Sequence, residues 1–365
     1  MRVLNASRIF TGDRWLTDHS VIIEDGKFKE LISNTELPSS FEPERYEDCI
    51  ITPAFIDLQI YGASGRLLAV YPETNSIESL VYYCRTGGAA WCLPTVATNT
   101  KEVFFKSIDA IRDYLSKDGK GVLGIHLEGP WINKVKRGAH IESLIHSPSV
   151  NEVKDLLEHG KGIIKMITLA PECVNKEVID LILSYDVVVS AGHSNASYTE
   201  AMKGFANGVQ LVTHLYNAMS PLHHREPGLV GATMDHKRVM ASIIPDGYHV
   251  DYAAIRIAKK AMGERLFAIT DAVTDTNEGY YQHQLAGDKY EAGGVLSGSA
   301  LTMQKALQNL VQECGIDLGE ALRMCSLYPA RVLRLDSHIG KIEKGFKADL
   351  VVLDNTLQLK QLITA

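Results

Sequence analysis

The sequence predicts an α/β protein built on a (β/α)8 TIM barrel, with a small β-sandwich domain formed by both ends of the chain. Three observations predict this fold. Short β-rich segments open the chain, eight apolar runs then alternate with helical patterns, and strand-like sequence returns near the end. A chain of 365 residues can form one large domain or two ordinary ones. We place the barrel at residues 52–336 and the two parts of the small domain at residues 1–51 and 337–365.

The first 51 residues have the pattern of short strands. Residues 2–6, 8–10 and 20–24 are rich in β-forming side chains, and Asp25-Gly26 predicts a hairpin turn before another strand at residues 27–32. Residues 339–353 have a similar pattern, with an apolar stretch near their end. We therefore expect the end of the chain to join the N-terminal strands in one small β domain.

The middle of the chain contains eight apolar runs, at residues 51–61, 90–98, 122–128, 163–169, 187–193, 211–217, 239–245 and 267–271. Eight is the number of strands in this barrel, and near-continuous hydrophobicity is typical of parallel strands covered on both faces. The predicted helices lie at residues 76–86, 100–118, 150–158, 252–262, 301–314 and 318–335. A doubly wound open sheet would also use parallel strands, but eight regular units favour a closed barrel.

The composition limits the class of partner and the compartment. Lys and Arg total 37 against 44 for Asp and Glu, a net charge of −7, which disfavours a protein that binds nucleic acid or anionic membranes over a broad surface. The sequence has no leader pattern and no long apolar stretch, so we expect a cytoplasmic protein. Its six cysteines contain no C-x-x-C pair, and we interpret them as buried thiols in a reducing compartment.

Chemically active side chains end four of the predicted strands. Glu128, His193, His214 and Asp271 each belong to a different apolar run, and residues at strand ends meet at the catalytic face of a barrel. One carboxylate and two imidazoles with an open fourth position are typical of a catalytic zinc-type site, and Asp271 would act across the barrel mouth as a proton shuttle. A single histidine at a strand end is more often a scaffold residue, but four such residues indicate a shared site.

Other catalytic signatures are absent from the sequence. It contains no G-x-S-x-G elbow, no H-E-x-x-H helix, no Walker lysine and no strand followed by G-x-G-x-x-G. Residues 293–299 are glycine-rich but lack the lysine of a phosphate-binding loop, so we interpret them as a flexible turn.

A series of motifs along nearly the whole chain resembles those of one known enzyme family. The motifs lie at residues 53–57, 126–130, 138–140, 191–194, 213–219, 225–228, 246–251, 270–272, 296–303 and 328–331. Together they are similar to the motifs of the N-acetylglucosamine-6-phosphate deacetylases, which belong to the amidohydrolase superfamily of metal-dependent hydrolases. Residues 340–345 and 348–352 resemble that superfamily at large and mark the return to the small domain.

The resemblance implies a role for each matching residue. Glu128, His193 and His214 correspond to the metal ligands, Asp271 to the catalytic aspartate, and His140 to a residue that contacts the substrate and polarises the acetamide carbonyl. The implied reaction converts N-acetyl-D-glucosamine 6-phosphate to D-glucosamine 6-phosphate and acetate, in amino-sugar catabolism. A metal-activated water would attack the amide, with Asp271 as general base and then general acid.

The resemblance also implies the substrate contacts. Arg225 and His249 correspond to a phosphate-binding pair, with the arginine often supplied across a homodimer interface, and the guanidinium fork suits phosphate. Asn217 and Ala218 belong to a segment that contacts the substrate. Three further residues correspond to the acyl end of the pocket: Leu301, Thr302 and Met303. Without the resemblance, residues 223–225 would be interpreted as a solvated loop.

The chain departs from the superfamily at the metal site. Many amidohydrolases carry His-x-His after the first strand and hold a second metal there, whereas this chain has Gln59-Ile60-Tyr61, and neither Gln nor Tyr is a good replacement ligand. Residues 168–171, at the end of the fourth strand, offer no lysine for a bridging carboxylate. We therefore predict one divalent metal per chain, zinc by preference, with iron or another divalent ion as the alternative. The sequence stops at Ala365, short of the last β-hairpin that is usual in that family, so we expect a shortened small domain.

Two alternative functions stay open. Another amidohydrolase activity, on a cyclic amide or a different N-acyl sugar, would not need the phosphate anchor of Arg225 and His249. A catalytically inactive barrel that only binds a sugar phosphate would not need intact metal ligands and Asp271. The sequence also leaves open the identity of the metal and the preference among glucosamine, galactosamine and mannosamine derivatives.

Overall fold

The structure, a computed structural model, describes residues 1–365. Its strands are β1 (Arg2–Phe10), β2 (Trp15–Leu16), β3 (His19–Glu24), β4 (Lys27–Ser33), β5 (Glu44–Pro53), β6 (Phe55–Ile60), β7 (Gly62–Ala63), β8 (Arg66–Leu67), β9 (Ala89–Ala97), β10 (Ile125–Glu128), β11 (Ile164–Leu169), β12 (Val188–Ala191), β13 (Leu211–Val212), β14 (Met240–Ile243), β15 (Leu266–Ala268), β16 (Gln284–Ala286), β17 (Lys289–Ala292), β18 (Val295–Ser299), β19 (Leu350–Asp354) and β20 (Leu359–Ile363). Its α-helices are α1 (Thr74–Thr86), α2 (Lys101–Ser116), α3 (Val150–His159), α4 (Lys176–Ser184), α5 (Tyr198–Ala206), α6 (Gly228–Asp235), α7 (Tyr252–Met262), α8 (Met303–Gln312), α9 (Leu318–Cys325) and α10 (Leu327–Val332). Short 3-10 helices lie at Lys134–Lys136, Glu142–Leu144, Pro171–Cys173 and Gly263–Arg265.

Eight parallel strands form the barrel, in the order β6, β9, β10, β11, β12, β13, β14 and β15. The backbone closes the ring between the first and last of these strands, because Tyr61 N donates to Ala272 O and Asp271 N donates to Gln59 O, each at 2.9 Å. Each of the eight predicted runs overlaps one of these strands, so the barrel prediction is confirmed. Burial on both faces accounts for the continuous hydrophobicity of the runs, and β6 is buried along its whole length.

The barrel interior contains a buried polar network beneath its catalytic face. The Nε2 atom of His126 lies 2.7 Å from Thr168 Oγ1, which lies 2.7 Å from Thr213 Oγ1, and Ser190 Oγ is 2.6 Å from the same hydroxyl. Burial lowers the pKa of His126 to about 4, so its imidazole is neutral at physiological pH. The network satisfies hydroxyl groups that would otherwise be costly in a barrel core.

The helices form where amphipathic patterns predict them, and capping residues set their ends. The four helices predicted between the apolar runs are observed as α1, α2, α3 and α7. Ser149 begins α3 with a capping box, in which its side chain accepts from Glu152 N at 3.2 Å. The predicted helix at 318–335 is instead two helices, with a break at Ser326. The break is required because Pro329 fits the first turn of α10 but would disrupt the interior of one long helix.

One compact unit contains both ends of the chain. Its mixed sheet has the order β20-β19-β5-β1-β3-β4, with β2 beside β1, so the predicted joining of the chain ends in one β domain is confirmed. Asp25 and Gly26 form the expected turn between β3 and β4, with positive φ angles of 51° and 71°. The predicted strand at 339–353 is shorter in the structure, where only β19 forms. Gly340 and Gly345, with φ near 87° and 88°, hold turns in the preceding segment.

The chain divides into two compact units. One comprises residues 1–57, 84–91 and 302–365, and the other comprises residues 58–83 and 92–301. This division groups α8, α9 and α10 with the chain ends, whereas the sequence-based boundaries at 52 and 336 assign them to the barrel; those boundaries stay a prediction. The cavity described below lies within the second unit.

Two expectations from composition concern thiols and membranes. None of the six cysteines forms a disulfide, and four of them are buried and two half-buried. No helix of the structure combines the length and the apolar character that crossing a membrane requires.

Candidate active site

A cavity of about 390 Å³ lies at the C-terminal ends of the barrel strands. The residues that line it include the whole set that the sequence singled out for chemistry: Glu128, His140, His193, His214 and Asp271. Three predicted substrate contacts, Asn217, Ala218 and His249, line it as well. The barrel thus brings together residues that are up to 143 positions apart in the sequence, from Glu128 to Asp271.

Three of these side chains converge on one point. Glu128 ends β10, and its Oε1 atom lies 3.3 Å from His193 Nε2 and 3.0 Å from His214 Nε2. The two imidazole Nε2 atoms are 3.1 Å apart. Ligands about 2.0–2.1 Å from a tetrahedral zinc ion are separated by about 3.3–3.4 Å, so the three atoms have nearly the spacing of a metal's ligands.

The hydrogen bonds of the two histidines favour a cation at this point. His193 Nδ1 lies 3.0 Å from the carbonyl oxygen of Lys136 and donates to it, which leaves Nε2 with a lone pair. His214 Nδ1 is buried without a hydrogen-bond partner, and its Nε2 atom is the one that faces Glu128 and His193. Two inward-facing imidazole nitrogens beside a buried carboxylate are a donor set that suits a divalent metal.

His140 is a further neighbour of Glu128 and is itself a possible ligand. Its Nε2 atom lies 3.1 Å from Glu128 Oε2, the oxygen that faces away from the other two histidines, while its Nδ1 atom is 2.7 Å from Thr98 Oγ1. Two ligand triads therefore share Glu128 and His193, with His140 or His214 as the third member. Burial and the nearby His193 lower the pKa of His140 to about 4, so it is a neutral side chain that can donate through Nε2.

Asp271 follows β15 and faces the same cavity. Burial raises the pKa of its carboxyl group, and the negative Glu128 adds to the increase although His214 opposes it. At Glu128 burial also opposes ionisation, but the charges and hydrogen bonds of the histidines outweigh it and hold the pKa well below its usual range. Neighbouring carboxyl groups with pKa values moved in opposite directions are typical of sites that move protons.

The backbone at these residues is strained. His193, His214 and Asp271 have φ angles of 47°, 36° and 55°, in the left-handed region that side chains other than glycine rarely adopt. Such conformations cluster at functional sites because the surrounding structure has to hold them in place. The strain therefore supports a functional interpretation of these three strand ends.

Gln59 and Tyr61, at the end of β6, are hydrogen-bond partners of the site. Gln59 Nε2 donates to Tyr61 Oη at 2.7 Å and to Glu128 Oε1 at 3.1 Å, and Tyr61 Oη donates to Glu128 Oε2 at 2.6 Å. Burial raises the pKa of the Tyr61 phenol, and Asp271 and Glu128 add to the effect, so the hydroxyl keeps its proton. The sequence excluded both residues as metal ligands but gave no sign that they contact Glu128.

His249 and Arg225 lie in different environments. His249 lines the cavity, and its Nδ1 atom lies 2.6 Å from Asp246 Oδ2, while Asp246 Oδ1 accepts from the backbone N–H groups of Tyr248 and His249. Arg225 lies in the exposed loop at residues 221–226 and does not line the cavity. One copy of the chain therefore brings only His249 of this predicted pair to the site.

Part of the cavity wall comes from β18 and from the segment before β16, whereas the sequence predicted only a turn at residues 293–299. Leu296 and Ser297 of β18, with Tyr281 and His283, line the cavity. The predicted turn at residues 293–299 is a tight turn at Gly293 and Gly294 followed by β18. The three residues predicted for the acyl end do not line the cavity: Leu301, Thr302 and Met303. Thr302 instead caps α8, and Met303 is buried in that helix, so their contact with substrate stays a prediction.

Two family models, taken together, and two curated relatives match nearly the whole chain. Residues 50–364 match the model of the amidohydrolase family, and residues 1–44 match the NagA composite domain. The chain is 33% identical to the N-acetylglucosamine-6-phosphate deacetylase of Haemophilus influenzae over 365 residues, which cover 96% of this chain and 94% of that protein. It is 31% identical to the N-acetylgalactosamine-6-phosphate deacetylase of Escherichia coli O157:H7 over 373 residues, which cover 99% of this chain and 97% of that protein.

A solved structure is similar over the whole chain. The N-acetylglucosamine-6-phosphate deacetylase of Pasteurella multocida superposes with a TM-score of 0.93 at 31% sequence identity. The match covers 100% of this chain and 98% of that structure. The similarity therefore extends over the whole length of the chain.

Proposed function

The chain belongs to the amidohydrolase family, and from this premise we propose that it hydrolyses the acetamide of N-acetyl-D-glucosamine 6-phosphate to D-glucosamine 6-phosphate and acetate. The observation that carries the proposal is the convergence of a carboxylate, two facing imidazoles and a separate buried carboxyl group in one cavity. Full-length relatives that are named deacetylases of N-acetyl-hexosamine 6-phosphates support the choice of substrate class.

We propose that Glu128, His193 and His214 hold one divalent metal ion, with zinc preferred. The spacing of their ligand atoms and the Lys136 carbonyl that orients His193 support this triad. His140 contacts the outer oxygen of Glu128 and is tied to Thr98, so it is better placed to meet the substrate. A bound divalent cation supplies Lewis-acid polarisation of the amide carbonyl and lowers the pKa of a water molecule towards neutrality.

The side chains of the cavity supply the proton transfers. Asp271 accepts the proton of the attacking water and then delivers it to the amide nitrogen, which leaves poorly unless it is protonated. His140, neutral and with hydrogen on Nε2, donates to the carbonyl oxygen as negative charge develops there. Burial favours both steps, because charge interactions are stronger in a site that excludes water.

We propose that the sugar phosphate binds at the His249 side of the cavity, with Asn217 and Ala218 along the sugar. The Asp246 carboxylate fixes the orientation of the His249 ring and leaves its Nε2 atom available for the phosphate. Arg225 is exposed and absent from the lining of its own cavity, which supports a homodimer in which Arg225 of a second copy reaches the phosphate. We also propose a place in the cytoplasm, because a phosphorylated sugar, the proposed substrate, does not cross membranes unaided.

N-acetyl-D-galactosamine 6-phosphate is the second candidate substrate, because a relative named for that activity matches almost the whole chain. A panel of both sugar phosphates and unphosphorylated N-acetylglucosamine, with acetate release as the readout, separates the candidates. We expect the highest kcat/KM for the glucosamine derivative and a much lower value without the phosphate. Faster hydrolysis of the galactosamine derivative would reassign the substrate, and hydrolysis of neither would overturn the function.

A further inference from the structure

The Glu128 carboxylate is only 2% exposed, and its two oxygens have different partners. Oε1 lies near the two inward-facing imidazoles and also accepts from Gln59 Nε2 at 3.1 Å. Oε2 accepts from Tyr61 Oη at 2.6 Å and from His140 Nε2 at 3.1 Å. Oε1 is thus the oxygen that faces the two imidazoles, and Oε2 is the oxygen held by the Tyr61 hydroxyl and by His140.

The Tyr61 hydroxyl is the donor with the most defined direction. Because its oxygen accepts from Gln59 Nε2 at 2.7 Å, its own hydrogen is directed towards a carboxylate. Glu128 Oε2 is the closer acceptor, and Asp271 Oδ1 is 3.4 Å away. The phenol therefore lies between the two carboxyl groups of the site and contacts both.

We propose that Tyr61 is a positioning residue of the metal centre, whose hydroxyl holds Glu128 Oε2 so that Oε1 alone is presented to the metal. Gln59 assists by fixing the hydroxyl. The inference rests on the metal centre of the proposed function but not on the identity of the substrate. Partners of this kind, which bind a ligand and not the metal, contribute about 10–100-fold to metal affinity in other sites.

The test compares metal affinity in three full-length proteins: the wild type, Tyr61→Phe and Tyr328→Phe. Tyr328 is a matched control, because its hydroxyl also donates to a carboxylate, that of Glu320, at 3.0 Å. Tyr328 is buried and does not line the cavity, whereas Tyr61 does. Zn²⁺ is titrated against a competing chelator, with no substrate present. We expect Tyr61→Phe to weaken Zn²⁺ binding about 10–100-fold and Tyr328→Phe to leave it within about twofold of the wild type.

A spectroscopic readout separates positioning from a general loss of stability. Tyr61→Phe removes the shorter of the two hydrogen bonds to Glu128 Oε2 and leaves only the one from His140. In the Co²⁺-substituted protein we expect this oxygen then to bind as well, and the higher coordination number to lower the visible absorptivity. Unchanged absorption together with a Zn²⁺ affinity within about twofold of the wild type would overturn the inference and leave the proposed function intact. A wild type that binds no divalent metal would overturn both.

A second variant keeps the inference testable if Tyr61→Phe does not fold. Gln59→Met removes the amide that donates both to the Tyr61 hydroxyl and to Glu128 Oε1, but it retains side-chain length and the tyrosine ring. We expect Zn²⁺ affinity to fall by at least about 2–12-fold, the value of the neutral hydrogen bond to Tyr61, because the bond to Glu128 Oε1 is lost as well. An affinity equal to that of the wild type in Gln59→Met would count against the positioning of Glu128 by this pair.

Discussion

Replacement of Asp271 by asparagine isolates its proton-transfer role. Asn has nearly the same size and tolerates the observed φ of 55°, so the backbone and the packing of the site are retained. It cannot act as a base, and general acid–base catalysis is worth about 10²–10⁴ in rate, or about 3–5 kcal/mol of activation free energy. We expect kcat for acetate release to fall by this factor while bound metal stays at the wild-type level.

Replacement of the same residue by alanine tests the strain separately. Alanine in the left-handed region costs about 1–2 kcal/mol, so Asp271→Ala should lower the free energy of unfolding by that amount while Asp271→Asn should not. The assay is steady-state acetate release combined with metal analysis and urea unfolding for both variants. Near-wild-type kcat in Asp271→Asn would refute the assignment of Asp271, and loss of its metal would show that the residue acts in metal binding instead.

Three further changes have distinct expected outcomes. Arg225→Ala should raise KM for the phosphorylated sugar about tenfold or more and affect the unphosphorylated sugar little, since one charged hydrogen bond is worth about 1.5–3 kcal/mol; equal effects on both sugars would remove Arg225 from the phosphate site. His193→Ala should reduce bound metal to well below one ion per chain, whereas His283→Ala, on the cavity wall, should retain it; full occupancy in His193→Ala would refute the ligand triad. Ile9→Ala, at a fully buried position of the small β domain, should lower the free energy of unfolding by about 2–5 kcal/mol in urea; an unchanged midpoint would contradict the packing described for that core.

The sequence predicted the barrel because parallel strands buried on both faces leave a continuous apolar pattern. Each of the eight runs overlaps one of the barrel strands for this reason. The helix at 318–335 was wrong as a single element, since amphipathic spacing continues through Ser326 while Pro329 requires a new helix start. The predicted strand at 339–353 was also wrong over its first part, because the backbone turns at Gly340 and Gly345.

The sequence likewise predicted some residues of the site and missed others. Strand-end register was enough to single out Glu128, His193, His214 and Asp271, because parallel strands in a barrel all end at one face. It did not reveal that Gln59 and Tyr61 donate to Glu128, since those contacts join residues 69 and 67 positions apart across the barrel. The contribution of Tyr281, His283, Leu296 and Ser297 to the wall was missed, because contacts between distant segments leave no local signal in the sequence.

The most direct test of the central claim is acetate release from N-acetyl-D-glucosamine 6-phosphate by the same preparation before and after metal removal. Enzyme stripped with a chelator and dialysed should release no acetate, and activity should return fully at one Zn²⁺ per chain. Metal analysis on each sample fixes the stoichiometry. Full activity in verified metal-free enzyme, or no acetate from the metal-loaded enzyme, would contradict a metal-dependent deacetylase built on Glu128, His193 and His214.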